Sequence, residues 1–105
     1  MKKQAIKVGI GNITIDDVAR RNIVKILDTN RLTYGDFTRK FEQKMAKLHN
    51  RNFAIFCNSG TSALHVALSV CRDKFGWRDE DEVLVPAVTF VATSNVILHN
   101  RLAPV

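Results

Sequence analysis

The segment Asn58-Ser59-Gly60-Thr61-Ser62 gathers five small residues, four with polar side chains. Ahead of it runs Phe53-Ala54-Ile55-Phe56, a short apolar stretch. Behind it Leu64, Ala67, Leu68 and Cys71 recur at helical spacing. The five residues therefore fall where a buried strand is expected to turn into a helix. A helix N-terminus presents N–H groups that lack intrahelical acceptors and carries a partial positive charge, which suits an anion. Gly60 would let a ligand approach the main chain closely, and Thr61 and Ser62 add hydroxyls beside the free N–H groups. Phosphate suits this combination of many donors and little bulk. A plainer role stays open, in which Ser59 or Thr61 only caps the helix. The spacing matches neither a Walker loop nor the GxGxxG dinucleotide turn.

A second corner, Val85-Pro86-Ala87-Val88-Thr89-Phe90, again runs from a strand end into a helix. In doubly wound sheets ligands gather at the carboxyl ends of strands. Phe90 placed there would lay an aromatic face beside the anion site, which suggests a flat, phosphorylated cofactor. Core packing is the alternative reading of Phe90.

The elements that must position these corners follow from periodicity. Residues 1–12 read as irregular, with Gly9 and Gly11 as breakers. Thr14-Ile15-Asp16-Asp17 reads as a helix start with a Thr cap and acids in the first turn, the helix running to about Asp28. Asp36 is a second candidate cap, after which Phe37, Phe41, Met45 and Leu48 form one stripe of an amphipathic helix. Phe53–Cys57 reads as a strand covered on both faces. A helix over 61–73, a strand over 82–86, a helix over 89–99 and the opening of a third strand over 102–105 complete the order. Two helices followed by β-α-β-α-β predict an α/β layer with a parallel sheet and right-handed crossovers. The helices fall within 14–48 and the start of the sheet within 52–105. A parallel sheet needs cover on both faces, and these elements supply roughly two and a half strands. The chain is therefore expected to form the front part of a larger domain.

Composition narrows the function classes. A chain of 105 residues with 46% hydrophobic and 25% charged residues suits one small globular domain. No apolar run reaches transmembrane length, and Met1-Lys2-Lys3-Gln4 is not followed by the apolar stretch of a secretory signal. Cys57 and Cys71 lack CxxC spacing and read as small core hydrophobes in a reduced, cytoplasmic setting. The net charge of +6 is spread over scattered basic residues such as Lys25, Arg39, Lys44, Arg72 and Arg101, without interleaved aromatics. A solvated surface fits that pattern better than a nucleic-acid or membrane partner. No metal-ligand spacing is present.

The strings SGTSALHVAL, DEVLVPAVTFVATSNVIL and APV, with RLTYGDFTRKFEQKMAKLH upstream, closely resemble the DegT/DnrJ/StrS family of sugar aminotransferases. The resemblance covers nearly the whole chain and is weakest over residues 1–12. It implies the N-terminal part of the large domain of the fold-type-I, aspartate-aminotransferase-like fold, with pyridoxal 5′-phosphate as cofactor. Carried over, Gly60, Thr61 and Ser62 would hold the cofactor phosphate and Phe90 would stack on its pyridine ring. Tyr34, beside Gly35, would approach the substrate pocket or a partner subunit, a surface turn being the alternative. The Gly-Thr-Ser-Ala motif of residues 60–63 resembles the family's transaminases more than its dehydratases. The resemblance further implies a homodimer that moves an amino group from glutamate to a nucleotide-linked keto-sugar, in polysaccharide or antibiotic-sugar biosynthesis. The family's Schiff-base lysine, and the aspartate at the pyridine nitrogen, match no position here. No catalytic residue is thus expected within the chain, and an N-terminal fragment without activity of its own is expected. A dehydratase or regulatory member of the family is the remaining alternative.

Overall fold

The computed structural model describes residues 13–105, so the expectation for residues 1–12 lies outside the described residues. The chain divides into two units, Met1–Arg39 and Lys40–Val105.

In the first unit, helix α1 spans Asp17–Asp28. Its cap is Asp16, not Thr14: the Asp16 carboxylate accepts from Ala19 N–H at 2.7 Å. A capping oxygen meets the N–H two or three residues on, which Asp16 reaches and Thr14 does not, and a carboxylate also complements the helix dipole. Helix α2 spans Asp36–Leu48, and the boundary between the units falls inside it. Asp36 is the first helical residue rather than the cap. Gly35 takes the cap position, its carbonyl accepting from Arg39 N–H at 3.0 Å, while Asp36 pairs with the Arg39 guanidinium one turn on.

The second unit carries the α/β layer. Helix α3 spans Gly60–Phe75 and ends on Gly76 in the left-handed region (φ 66°), where the N–H reaches back to the Arg72 carbonyl. A residue with no Cβ adopts that conformation without steric cost. Strand β1 (Glu82–Val83), helix α4 (Ala92–His99) and strand β2 (Ala103–Pro104) then form a β-α-β unit. The strands are parallel, with Glu82 opposite Ala103 and Val83 opposite Pro104. Bonds from Ala103 N–H to the Asp81 carbonyl and from Val105 N–H to the Val83 carbonyl, both 3.0 Å, bracket Pro104. Alternate residues of a strand donate to opposite sides, so the proline sits where no N–H toward β1 is needed. Helix α4 starts three residues later than periodicity predicts, because Pro86 to Phe90 form a bent connection.

The core sits where α4 packs on α3 and β2. Ala92, Val96, Ile97 and Leu102 are buried there, Leu102 at 2% exposure. Asn100 is buried among them and hydrogen-bonded. Its side-chain nitrogen donates to the Val96 carbonyl at 2.7 Å and pairs with His65 Nδ1 at 3.2 Å, and its main-chain carbonyl accepts from Arg72. Arg72 also pairs with Asp79, and so is not the solvated cation that its sequence context suggested. Along α2 the buried residue is Ala46, whereas Phe41 and Leu48 of the expected stripe are exposed.

Phe53–Cys57 lies outside every helix and joins no ladder among the described residues. A strand is defined by its partner, and no described segment pairs with this one. Phe53 is 86% exposed and Ile55 is also open to solvent, so the expected cover on both faces is absent here. Cys57 and Cys71 are free thiols, half-buried rather than in the core.

Candidate phosphate-binding corner

The corner is built by the start of α3. Ser59 takes an extended conformation (φ −156°, ψ 161°) and caps the helix, its Oγ accepting from Ser62 N–H at 3.1 Å. The Ser59 hydroxyl donates to Ser62 Oγ at 3.0 Å, which leaves the Ser62 hydroxyl hydrogen for another acceptor. Ala63 N–H reaches the Ser59 carbonyl at 3.0 Å as the first bond of the helix. Among the described residues, the N–H groups of Gly60 and Thr61 meet no acceptor. Gly60 and Thr61 are exposed, and a Cβ built on Gly60 would meet nothing within 4 Å. Capping by Ser59 and free donors at Gly60 and Thr61 therefore coexist: the cap satisfies one group and leaves the others open.

An open cavity of about 690 Å3 runs along the first two turns of α3 beside the start of α4, lined by Gly60, Thr61, Leu64, Ala67, Phe90 and Thr93 among others. The second corner thus meets the first: Phe90 leads into α4, 74% exposed, on the same cavity as Thr61. Thr93 Oγ1 lies 3.0 Å from Thr89 Oγ1. On the other side of Thr61 a second open cavity, of about 600 Å3, is lined by Ser62, His65, Val96 and His99. Three of the expected cofactor contacts, Gly60, Thr61 and Phe90, therefore share one cavity, and Ser62 lines its neighbour with Thr61. Tyr34, the expected substrate contact, belongs to the first unit, exposed in the segment before α2.

Sequence reasoning missed Thr93 and His65. Thr93 could have been found as a hydroxyl in the first turn of a helix that follows a strand end. His65 stands one helical turn after Thr61, which is a sequence-readable signal. Its contact with Asn100 is not readable from spacing. Among the described residues no group of three or more His, Cys, Asp or Glu side chains could hold a metal. No described helix is long and apolar enough to cross a membrane.

Residues 14–105 match the DegT/DnrJ/EryC1/StrS aminotransferase family. The chain is 31% identical over 100 residues to GDP-perosamine synthase of Caulobacter vibrioides, covering 94% of this chain and 26% of that protein. It is 37% identical over 83 residues to UDP-N-acetyl-3-dehydro-alpha-D-glucosamine 3-aminotransferase of Acidithiobacillus ferrooxidans, covering 79% and 21%. Among solved structures it resembles a GDP-4-keto-6-deoxymannose-3-dehydratase with a trapped PLP-glutamate geminal diamine. That match has a TM-score of 0.79 and 25% identity, over 93% of this chain and 26% of the other. The chain thus spans about a quarter of the length of these relatives. With the α/β architecture and the match over residues 14–105, the chain belongs to the DegT/DnrJ/EryC1/StrS aminotransferase family.

Proposed function

We propose that this chain forms the phosphate-binding corner of an enzyme dependent on pyridoxal 5′-phosphate that transfers an amino group, with glutamate as donor, to a nucleotide-linked keto-sugar. The observation that carries the reading is the turn at Gly60 and Thr61. Its two N–H groups lack acceptors among the described residues, and Gly60 and Thr61 line a cavity that Phe90 also lines. When bound, pyridoxal 5′-phosphate supplies an electron sink conjugated to the amino group under transfer. The residues present fit its phosphate end. Gly60 leaves room where a Cβ would stand, and the α3 N-terminus favours negative charge. Thr61 and Ser62 donate hydroxyls, while Ser59 holds the first turn so that these donors are set before the ligand arrives. Phe90 offers its ring to the flat part of the cofactor. Tyr34 is proposed to approach the substrate. The lysine and the acid that the chemistry needs at the other end of the cofactor are assigned to protein outside these 105 residues. The reading carries with it a cytoplasmic homodimer.

A second reading, removal of a sugar hydroxyl rather than amino transfer, is favoured by the likeness to the dehydratase structure. The Gly60-Thr61-Ser62-Ala63 motif supports amino transfer. The two separate in one experiment on the protein that carries this segment, supplied with 15N-glutamate and a nucleotide-linked keto-sugar. Amino transfer places the label on the sugar. A sugar that loses its hydroxyl and gains no label establishes the dehydratase instead, and an unchanged sugar refutes both.

A further inference from the structure

The main chain that delivers the corner is gripped from α2. Glu42 Oε1 accepts a hydrogen bond from Phe56 N–H at 2.9 Å. One residue earlier on the helix, Phe41 meets the Phe56 ring edge to face, with centroids 5.5 Å apart and planes at 84°. Two consecutive residues of one helix thus hold Phe56: the Glu42 carboxylate takes its main-chain N–H and Phe41 meets its ring. Phe56 stands three residues before the capping Ser59. The segment 53–57 has no ladder among the described residues to fix it. Three residues span about 10 Å at most, so anchoring Phe56 restricts where Ser59, and the turn after it, can stand.

We propose that Phe41 and Glu42 are positioning residues for the Gly60–Ser62 corner, acting through Phe56. This rests on the reading of that corner as a phosphate site and adds the device that sets it in place. A carboxylate bond to a main-chain N–H is charge-assisted, but the Glu42 contact also depends on reach. Glutamine keeps an acceptor oxygen at the same distance along the side chain. Aspartate keeps the charge and withdraws the oxygen by one carbon.

The test compares Glu42→Gln and Glu42→Asp in the 15N-labelled full chain. It reads the amide resonances and hydrogen exchange of Phe56 and of 59–62, then the affinity for pyridoxal 5′-phosphate. Leu102 and Ala103 amides, in the core and ladder, serve as the internal check on folding. With Glu42→Gln, Phe56 stays protected and the 59–62 amides keep their positions. With Glu42→Asp, Phe56 exchange rises about tenfold or more, the 59–62 amides shift, affinity falls by a similar factor, and Leu102 and Ala103 do not move. If Glu42→Asp leaves the 59–62 amides unchanged, or Glu42→Gln disturbs them as much as Glu42→Asp does, the inference is overturned. Should the unaltered chain take up no pyridoxal 5′-phosphate, the phosphate reading falls on its own. The amide comparison still decides the grip.

Discussion

Replacing Gly60 with alanine should separate folding from binding. Gly60 opens α3, and a Cβ added there meets nothing within 4 Å. The protein has room for the methyl group, and alanine restricts the unfolded chain more than glycine does. Where the native conformation is compatible, that change stabilises by about 0.4–1 kcal/mol. The same methyl group would stand at the cavity wall beside the N–H groups of Gly60 and Thr61, where phosphate oxygens are expected. Loss of close approach there should cost about 1.4 kcal/mol or more, a tenfold weaker Kd. Urea denaturation followed by far-ultraviolet circular dichroism gives the first quantity. Titration of the same preparation with pyridoxal 5′-phosphate gives the second. Equal or greater stability with weakened binding supports the assignment. Unchanged affinity would refute the reasoning, since no ligand would then lie against Gly60.

The other expectations concern the same corner. Ser59→Ala removes the acceptor for Ser62 N–H and should cost about 1 kcal/mol of stability, read by urea denaturation. Ser59→Asp should restore that stability but weaken phosphate binding, because it places a negative charge beside the anion. Phe90→Ala, at an exposed position, should change stability by less than about 0.5 kcal/mol and weaken cofactor binding by about 0.5–1.5 kcal/mol, as calorimetry would show. The purified 105-residue chain should transfer no amino group from glutamate to a nucleotide-linked keto-sugar, and measurable turnover would place the missing lysine within it.

Interactions that close within one helical turn were the most legible in the sequence, and contacts between particular distant side chains the least. The helix expected over 61–73 from apolar spacing is α3, Gly60–Phe75, and of the two caps left open, Ser59 or Thr61, it is Ser59 that closes the first turn. The parallel β1-β2 pair with α4 between them follows from the change of period around Glu82 and Leu102. Phe53–Cys57 has the composition of a strand, but composition cannot name a partner, and among the described residues it has none. The cap of α1 was misplaced because Thr14 and Asp16 both suit that role, and only the Ala19 contact separates them. Phe41-Glu42 stands in the sequence only as a pair within the string that carries the family resemblance, and spacing names no partner for it. The Glu42 bond to Phe56 spans fourteen residues and depends on how α2 meets the segment 53–57. Arg72 was hidden for the same reason, since its partners Asp79 and Asn100 come together only through tertiary packing.

The central claim, that the Gly60–Ser62 corner binds the phosphate of pyridoxal 5′-phosphate, is tested most directly by mapping the ligand on the 15N-labelled chain. Pyridoxal 5′-phosphate and pyridoxal, which lacks the phosphate, are titrated in parallel. The account predicts that the amides of Gly60, Thr61 and Ser62 move with pyridoxal 5′-phosphate, that inorganic phosphate reproduces those shifts, and that pyridoxal leaves them in place. Equal shifts with pyridoxal, or shifts confined to other parts of the chain, would contradict it.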